Sequence, residues 1–89
     1  MVHVYIKHEI ESYEKWKPAF DAVHEMRKAA GEQESQLFHL EGKPNMLIAL
    51  VSWDNLENAK AFFNNPKLHA IMQEAGVIGK PEIEYLESY

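Results

Sequence analysis

Met46-Leu47-Ile48-Ala49-Leu50-Val51-Ser52-Trp53 is apolar in both phases of a two-residue alternation. Side chains leave a strand on opposite faces in turn, so a strand of this composition needs cover on both sides. Upstream, Glu41-Gly42-Lys43-Pro44-Asn45 supplies a turn, and before it Gln36, Phe38 and Leu40 alternate with Leu37 and His39. The two strands read as a hairpin. Downstream, Asp54 with Glu57 gives a capping-box-like start, and Leu56, Ala59 and Phe63 continue as a helical stripe. Asn64-Asn65-Pro66 interrupts that stripe. Asn65 can cap there, and Pro66 suits the first position of a new segment carrying Leu68, Ile71, Met72 and Ala75. Gly76 closes this segment, and Pro81 opens a last strand with Ile83, Tyr85 and Tyr89 on one face.

The N-terminal part follows the same logic. Val2, Val4, Ile6 and Ile10 alternate with His3, Tyr5, Lys7 and Glu9, the period of a strand with one apolar face. Ser12 is placed to cap the helix that follows. From Tyr13 the period lengthens: Tyr13, Trp16, Ala19, Phe20, Val23, Met26 and Ala30 share one helical stripe, which Gly31 ends. Pro18 has no backbone donor, so a kink is expected there, or a separate first turn with the main helix starting at Lys17 or Pro18.

Strand, helix, strand, strand, helix, strand is the split βαβ or ferredoxin-like arrangement. The chain is therefore an α+β fold, a single domain over residues 1–89, with no internal repeat or linker. Right-handed crossovers place both helices on one face of a four-stranded antiparallel sheet ordered fourth, first, third, second. The other face is bare, yet the third strand brings a second apolar set to it. Covering ~1,000 Å² of that face at ~25 cal/mol per Å² gives gross stabilisation on the order of 25 kcal/mol, before association costs. A homodimer, sheet against sheet, is the expected partner.

Composition narrows the function classes. Fourteen acids against nine bases leave a net charge of −5, and Arg27 is the sole arginine. Binding to nucleic acid needs clustered cations, so that partner is not expected. No apolar run approaches the ~20 residues that cross a bilayer, and the N-terminus lacks the pattern of a secretory leader. With no cysteine, the expected location is the cytoplasm, and thiolate metal sites are excluded. His3 and His8 lie five apart on one strand and point to opposite faces. His24, His39 and His69 show no paired ligand spacing, so no metal site is expected.

Tyr13-x-x-Trp16 with Phe20, then Trp53-Asp54 leading to Ala59 and Phe62-Phe63, then Pro66, Met72, Ala75-Gly76-Val77 and the Pro81 strand form a further pattern. Over essentially the whole chain it resembles the dimeric α+β barrel superfamily, the group containing the antibiotic-biosynthesis-monooxygenase-like small proteins. The shared residues are packing residues and not a catalytic signature. The resemblance implies a homodimer with helices outside and a small-molecule pocket between each sheet and its helices. It also implies several activities, among them cofactor-free oxygenation, isomerisation and haem degradation. Haem degraders of the group carry an axial His, a Trp and a first-strand Asn. Here the matching positions hold Met72 and Phe62, and the first strand has no Asn, which argues against haem. His69, one helical turn before Met72, is the nearest haem-directed side chain. No cofactor is expected.

Tyr13, Trp16, Phe20, Trp53, Phe62 and Met72 could wall such a pocket, with Met26 and Met46 adapting around them, or each could simply fill the core beneath the sheet. Arg27 falls within the apolar stripe. It could hold a ligand carboxylate, or it could simply favour the helix end and snorkel outward. His39 and His69 are the other catalytic candidates. His39, His3, Tyr5 and Lys7 are the polar groups that strands could turn toward an enclosed space, and a His beside a Tyr suits general-base work on a phenol or enol; the same residues also serve as polar dimer contacts. Three classes follow. One is a cofactor-independent monooxygenase- or isomerase-type enzyme for a small aromatic or polyketide-like molecule. The others are a non-catalytic small-molecule-binding or stress-response dimer, and a structural dimer with a vestigial pocket.

Overall fold

The computed structural model describes residues 2–89 as β1 (Val2–Ile10), α1 (Tyr13–Ala22), α2 (His24–Ala30), β2 (Glu32–Leu40), β3 (Lys43–Trp53), α3 (Leu56–Phe63), α4 (Pro66–Glu74) and β4 (Val77–Glu87). The strands form one antiparallel sheet in the order β2-β3-β1-β4, with the helices on one face. This is the ferredoxin-like arrangement expected from the alternation, each helical arm being divided in two.

Local chemistry accounts for most boundaries. Ser12 accepts a hydrogen bond from the Lys15 backbone N–H at 3.2 Å and starts α1. Asn65 caps α4 in the same way through Lys67, with Pro66 at the first helical position. Two expectations are corrected. Asn55, not Asp54, caps α3, accepting from the Asn58 N–H at 2.8 Å; Asp54 is held back by its own N–H, which donates to the Gly31 carbonyl at 3.0 Å. Pro18 sits inside α1, and the break comes at Val23 instead. Both Pro18 and Glu14, whose carbonyl loses its partner, face solvent, so water can satisfy the freed oxygen.

β4 also starts earlier than expected, at Val77, and carries Pro81 within it. A proline is tolerated because β4 is an edge strand whose outer N–H groups have no sheet partner. A register irregularity between Lys7 and Glu9 lies in the β1–β4 pairing.

Register decides which side chains meet the helices. Val4, Ile6 and His8 of β1 lie opposite Val51, Ala49 and Leu47 of β3, Ile10 continues the row beside Val77 of β4, and all but Val77 are buried. Trp53 ends that row, fully buried, its indole N–H donating to the Ala30 carbonyl at 2.9 Å. On the reverse face Tyr5 pairs with Leu50 and Lys7 with Ile48, while Phe38 lies beside Ile48 from β2. Phe38, Ile78 and Leu86 are 51, 47 and 43% exposed there. The two-faced strand thus buries one apolar set under the helices and leaves the other on the open side of the sheet.

Candidate functional site

Two hydrophobic groups form beneath the helices. One is built on Trp53, Phe62 and Phe63 with Val4, Ile6 and Val51; the other on Trp16, Ile10, Leu47 and Ala75. Within the first, the three rings pack at 5.1 to 5.2 Å between centroids. Within the second, Trp16 stacks on Phe20 at 4.8 Å. The groups do not close fully against each other, and between them lies a cavity of about 60 Å³. Ile6, Ala49 and Val51 form its floor, Trp16 and Phe20 one wall, and Phe62, Phe63 and Met72 the other.

Among the described residues two polar side chains, Arg27 and His8, reach this apolar space, and they differ. Arg27 is buried but fully engaged. Its Nε donates to Glu32 at 2.7 Å, its Nη1 to the Phe20 carbonyl, and its guanidinium carbon lies 3.6 Å from the Phe20 ring centre. It does not snorkel outward; the buried carboxylate of Glu32 draws it in, and Nη2 lies 3.5 Å from His24 Nδ1. His8, from the centre of β1, is 4% exposed with both ring nitrogens unpartnered. Its nearest ring is Trp16, 5.7 Å away. Burial without a compensating charge lowers its pKa to about 4, so the imidazole is neutral at physiological pH, with one nitrogen a donor and the other an acceptor.

The residues singled out from sequence are distributed as follows. Trp16, Phe20, Phe62, Met72 and Arg27 line the cavity. Tyr13 lies on the outer side of Trp16, at 6.4 Å and 42% exposed. Trp53 sits one layer behind Phe62. His39 is exposed near the end of β2, its Nδ1–H directed at the Leu40 carbonyl at 2.9 Å. His69 lies on the outer side of α4 and donates from Nε2 to the Phe63 carbonyl at 2.8 Å. His3, Tyr5 and Lys7 belong to the open face of the sheet. His8 was not among the candidates. The signal that could have found it is its phase: it occupies the same alternation as Val4, Ile6 and Ile10. A second cleft, of about 380 Å³, lies between α4 and β4 and shares Phe63 and Met72 with the cavity.

Comparison with solved structures places this geometry. An antibiotic biosynthesis monooxygenase-like protein from Bordetella bronchiseptica superposes with a TM-score of 0.79 over 99% of this chain and 96% of its own, at 10% identity. SnoaB, a cofactor-independent oxygenase from Streptomyces nogalater, superposes at 0.77 over 99% and 92%, at 11% identity. The fold is that of the antibiotic biosynthesis monooxygenase-like proteins. A conserved protein from Methanosarcina mazei Go1 also superposes, with a TM-score of 0.77 over 99% of this chain and 92% of its own, at 13% identity. No protein-family model and no curated protein matches the chain in sequence. No helix among the described residues is long and apolar enough to cross a membrane.

Proposed function

We propose that the protein binds a small hydroxylated aromatic or polyketide-like molecule between sheet and helices and oxygenates it without a cofactor, His8 acting as the base. One observation carries this reading: a buried imidazole with no partner for either nitrogen, facing an apolar cavity. Leaving such a group unpaired costs about 1–3 kcal/mol, which is tolerated where a ligand completes it. The likeness in fold to a cofactor-independent oxygenase supports the same reading.

The chemistry balances on the substrate's own electrons. Neutral His8 removes a proton from an activated CH₂ or its phenol tautomer, and the carbanion passes its electrons to dioxygen, giving a hydroperoxide. Loss of water from that hydroperoxide leaves a carbonyl, so CH₂ plus O₂ becomes C=O plus H₂O. Arg27 is not the base, since its guanidinium stays protonated and has no acceptor site; paired with Glu32, it holds Phe20 in place as a wall. In a dry cavity the imidazolium–enolate pair formed by the first step is strongly attractive, which offsets the low basicity of the free imidazole.

The same reading makes the active unit a homodimer, the open face with Phe38, Ile48, Leu50 and Leu86 covered by a second copy. A cysteine-free chain suits the cytoplasm. Light scattering across micromolar concentrations should give twice the chain mass; a monomer throughout would end that part of the reading.

The small cavity volume favours a second reading, a dimer whose cavity is left over from packing. A panel of hydroxylated aromatics separates the two. Under the enzymatic reading, at least one compound raises the melting temperature and consumes oxygen at an electrode, and His8→Gln abolishes the uptake. Uptake-free conversion would make the same proton transfer an isomerisation. No thermal shift with any compound would leave the packing reading.

A further inference from the structure

Resting on the assignment of His8 to the ligand site, we propose that the α4–β4 cleft is a second subsite of that site, holding the acid group of a hydroxylated aromatic carboxylic acid. The first argument is size. The inner cavity of about 60 Å³ holds roughly two waters and not an aromatic acid, whereas the cleft of about 380 Å³ falls in the range of small-molecule sites. The molecule must therefore span both.

The second argument is the partition between them. It consists of Phe63 and Met72, the two side chains lining both spaces. Met72 is half-buried, unbranched and flexible, so a rotamer change can open the partition without moving backbone. On the opposite flank a groove of about 530 Å³ between α1 and α4 shares Ala19, Val23, Ile71 and Ala75 with the cavity. These side chains are short or β-branched and stiffer than Met72, and Lys15, the cation in that groove, is already paired with Glu11 at 3.3 Å.

The third argument is chemistry. The cleft floor is Val77, Pro81 and Ile83 with the two shared residues, and its rim carries Asn64, His69, Gln73 and Lys80. The ion pairs among the described residues use Lys15, Lys17 and Arg27, so Lys80 is one of six lysines without an acid partner, and among these it is the one that lines the cleft. A cation beside an apolar floor suits an organic anion, whose charge it meets while the floor takes the ring. Asn64 and Gln73 add amide donors. His69 spends Nε2–H on the Phe63 carbonyl, which leaves Nδ1 as an acceptor for a hydroxyl.

A naphthol and the matching hydroxynaphthoate test this on the intact protein, by calorimetry and by amide and imidazole NMR shifts. The hydroxynaphthoate should bind about fivefold more tightly, the size expected of a partly exposed charge pair, and should shift signals of both His8 and Lys80. Lys80→Ala should erase the preference, leaving the two probes with equal affinity, and Lys80→Arg should restore it. Equal affinities, or a preference that survives Lys80→Ala, overturn the acid subsite while leaving naphthol binding at His8, and the proposed function, intact. Hydroxynaphthoate shifts at Lys80 without any at His8 overturn the spanning geometry. Binding of neither probe overturns the His8 assignment itself and the subsite with it.

Discussion

Two polar centres are buried side by side under the same helices, and they were solved in opposite ways. Arg27 and Glu32 neutralise each other at 2.7 Å, and the remaining guanidinium surface is taken by a carbonyl and a phenyl ring. His8 has nothing. The first arrangement is complete and so has no capacity left for a ligand; it ties α2 to the start of β2 and to the end of α1. The second is incomplete, costs stability, and keeps its hydrogen-bonding capacity free. A satisfied buried group holds the fold together, and an unsatisfied one weakens it while keeping its donor and acceptor open.

The contrast can be broken from its stable side first. Arg27→Met strands a buried carboxylate and should cost about 3–5 kcal/mol in urea denaturation. Adding Glu32→Leu should return most of that loss, because two apolar side chains then replace a paired charge. A single-variant loss below about 1 kcal/mol would show that the pair behaves as a surface one.

Next comes acid. His8 is held near pKa 4 in the fold against 6.5 when free, so the unfolded chain binds its proton first. Its contribution is intact above about pH 6.5 and is lost as pH falls toward 4, by about 3 kcal/mol in total. Stability curves at stepped pH check this, with His8→Leu as the flat reference for this residue. A wild-type slope equal to that of His8→Leu between those limits would refute the assignment.

The smallest effect is the most diagnostic. At neutral pH His8→Leu should raise stability by about 1–2 kcal/mol, since it removes an unpaired polar group from an apolar site, while abolishing any oxygen uptake. Arg27 replaced alone should never stabilise. If both substitutions destabilise, the two centres are not different in kind.

The faces of the helices and the caps at Ser12 and Asn65 were legible in the sequence because each rests on neighbours a few positions apart, and the sheet order because crossover handedness fixes it once the element order is read. The start of α3 was not, since Asp54 and Asn55 are both competent caps, and only the distant Gly31 carbonyl decides between them. Pro18 misled because its cost depends on whether the Glu14 carbonyl sees water. At the candidate site, Trp16, Phe20 and Met72 follow from helical periodicity, and Phe62 stands at the margin of its stripe. His8 stood in the right phase but broke the chemistry of its row, so pattern reading passed over it. The partner of Arg27 was out of view for a different reason: Glu32 belongs to the next element, beyond Gly31, where a helical wheel does not reach. The cavity itself could not be foreseen, because its volume depends on how closely two separate aromatic groups approach.

The borders of the sheet carry a last consequence. β4 holds Pro81 on one border, and β2 presents Glu32, Gln33, Glu34, Ser35 and Gln36 on the other. A missing N–H on one side and a charged, polar run on the other make poor templates for a further strand. Adhesion along the borders is thereby discouraged, and the exposed apolar side chains on the flat of the sheet are left as the surface through which the chain can still associate. A chain with so much grease on show is thus steered away from ribbons and fibrils, which grow by adding strands at a border.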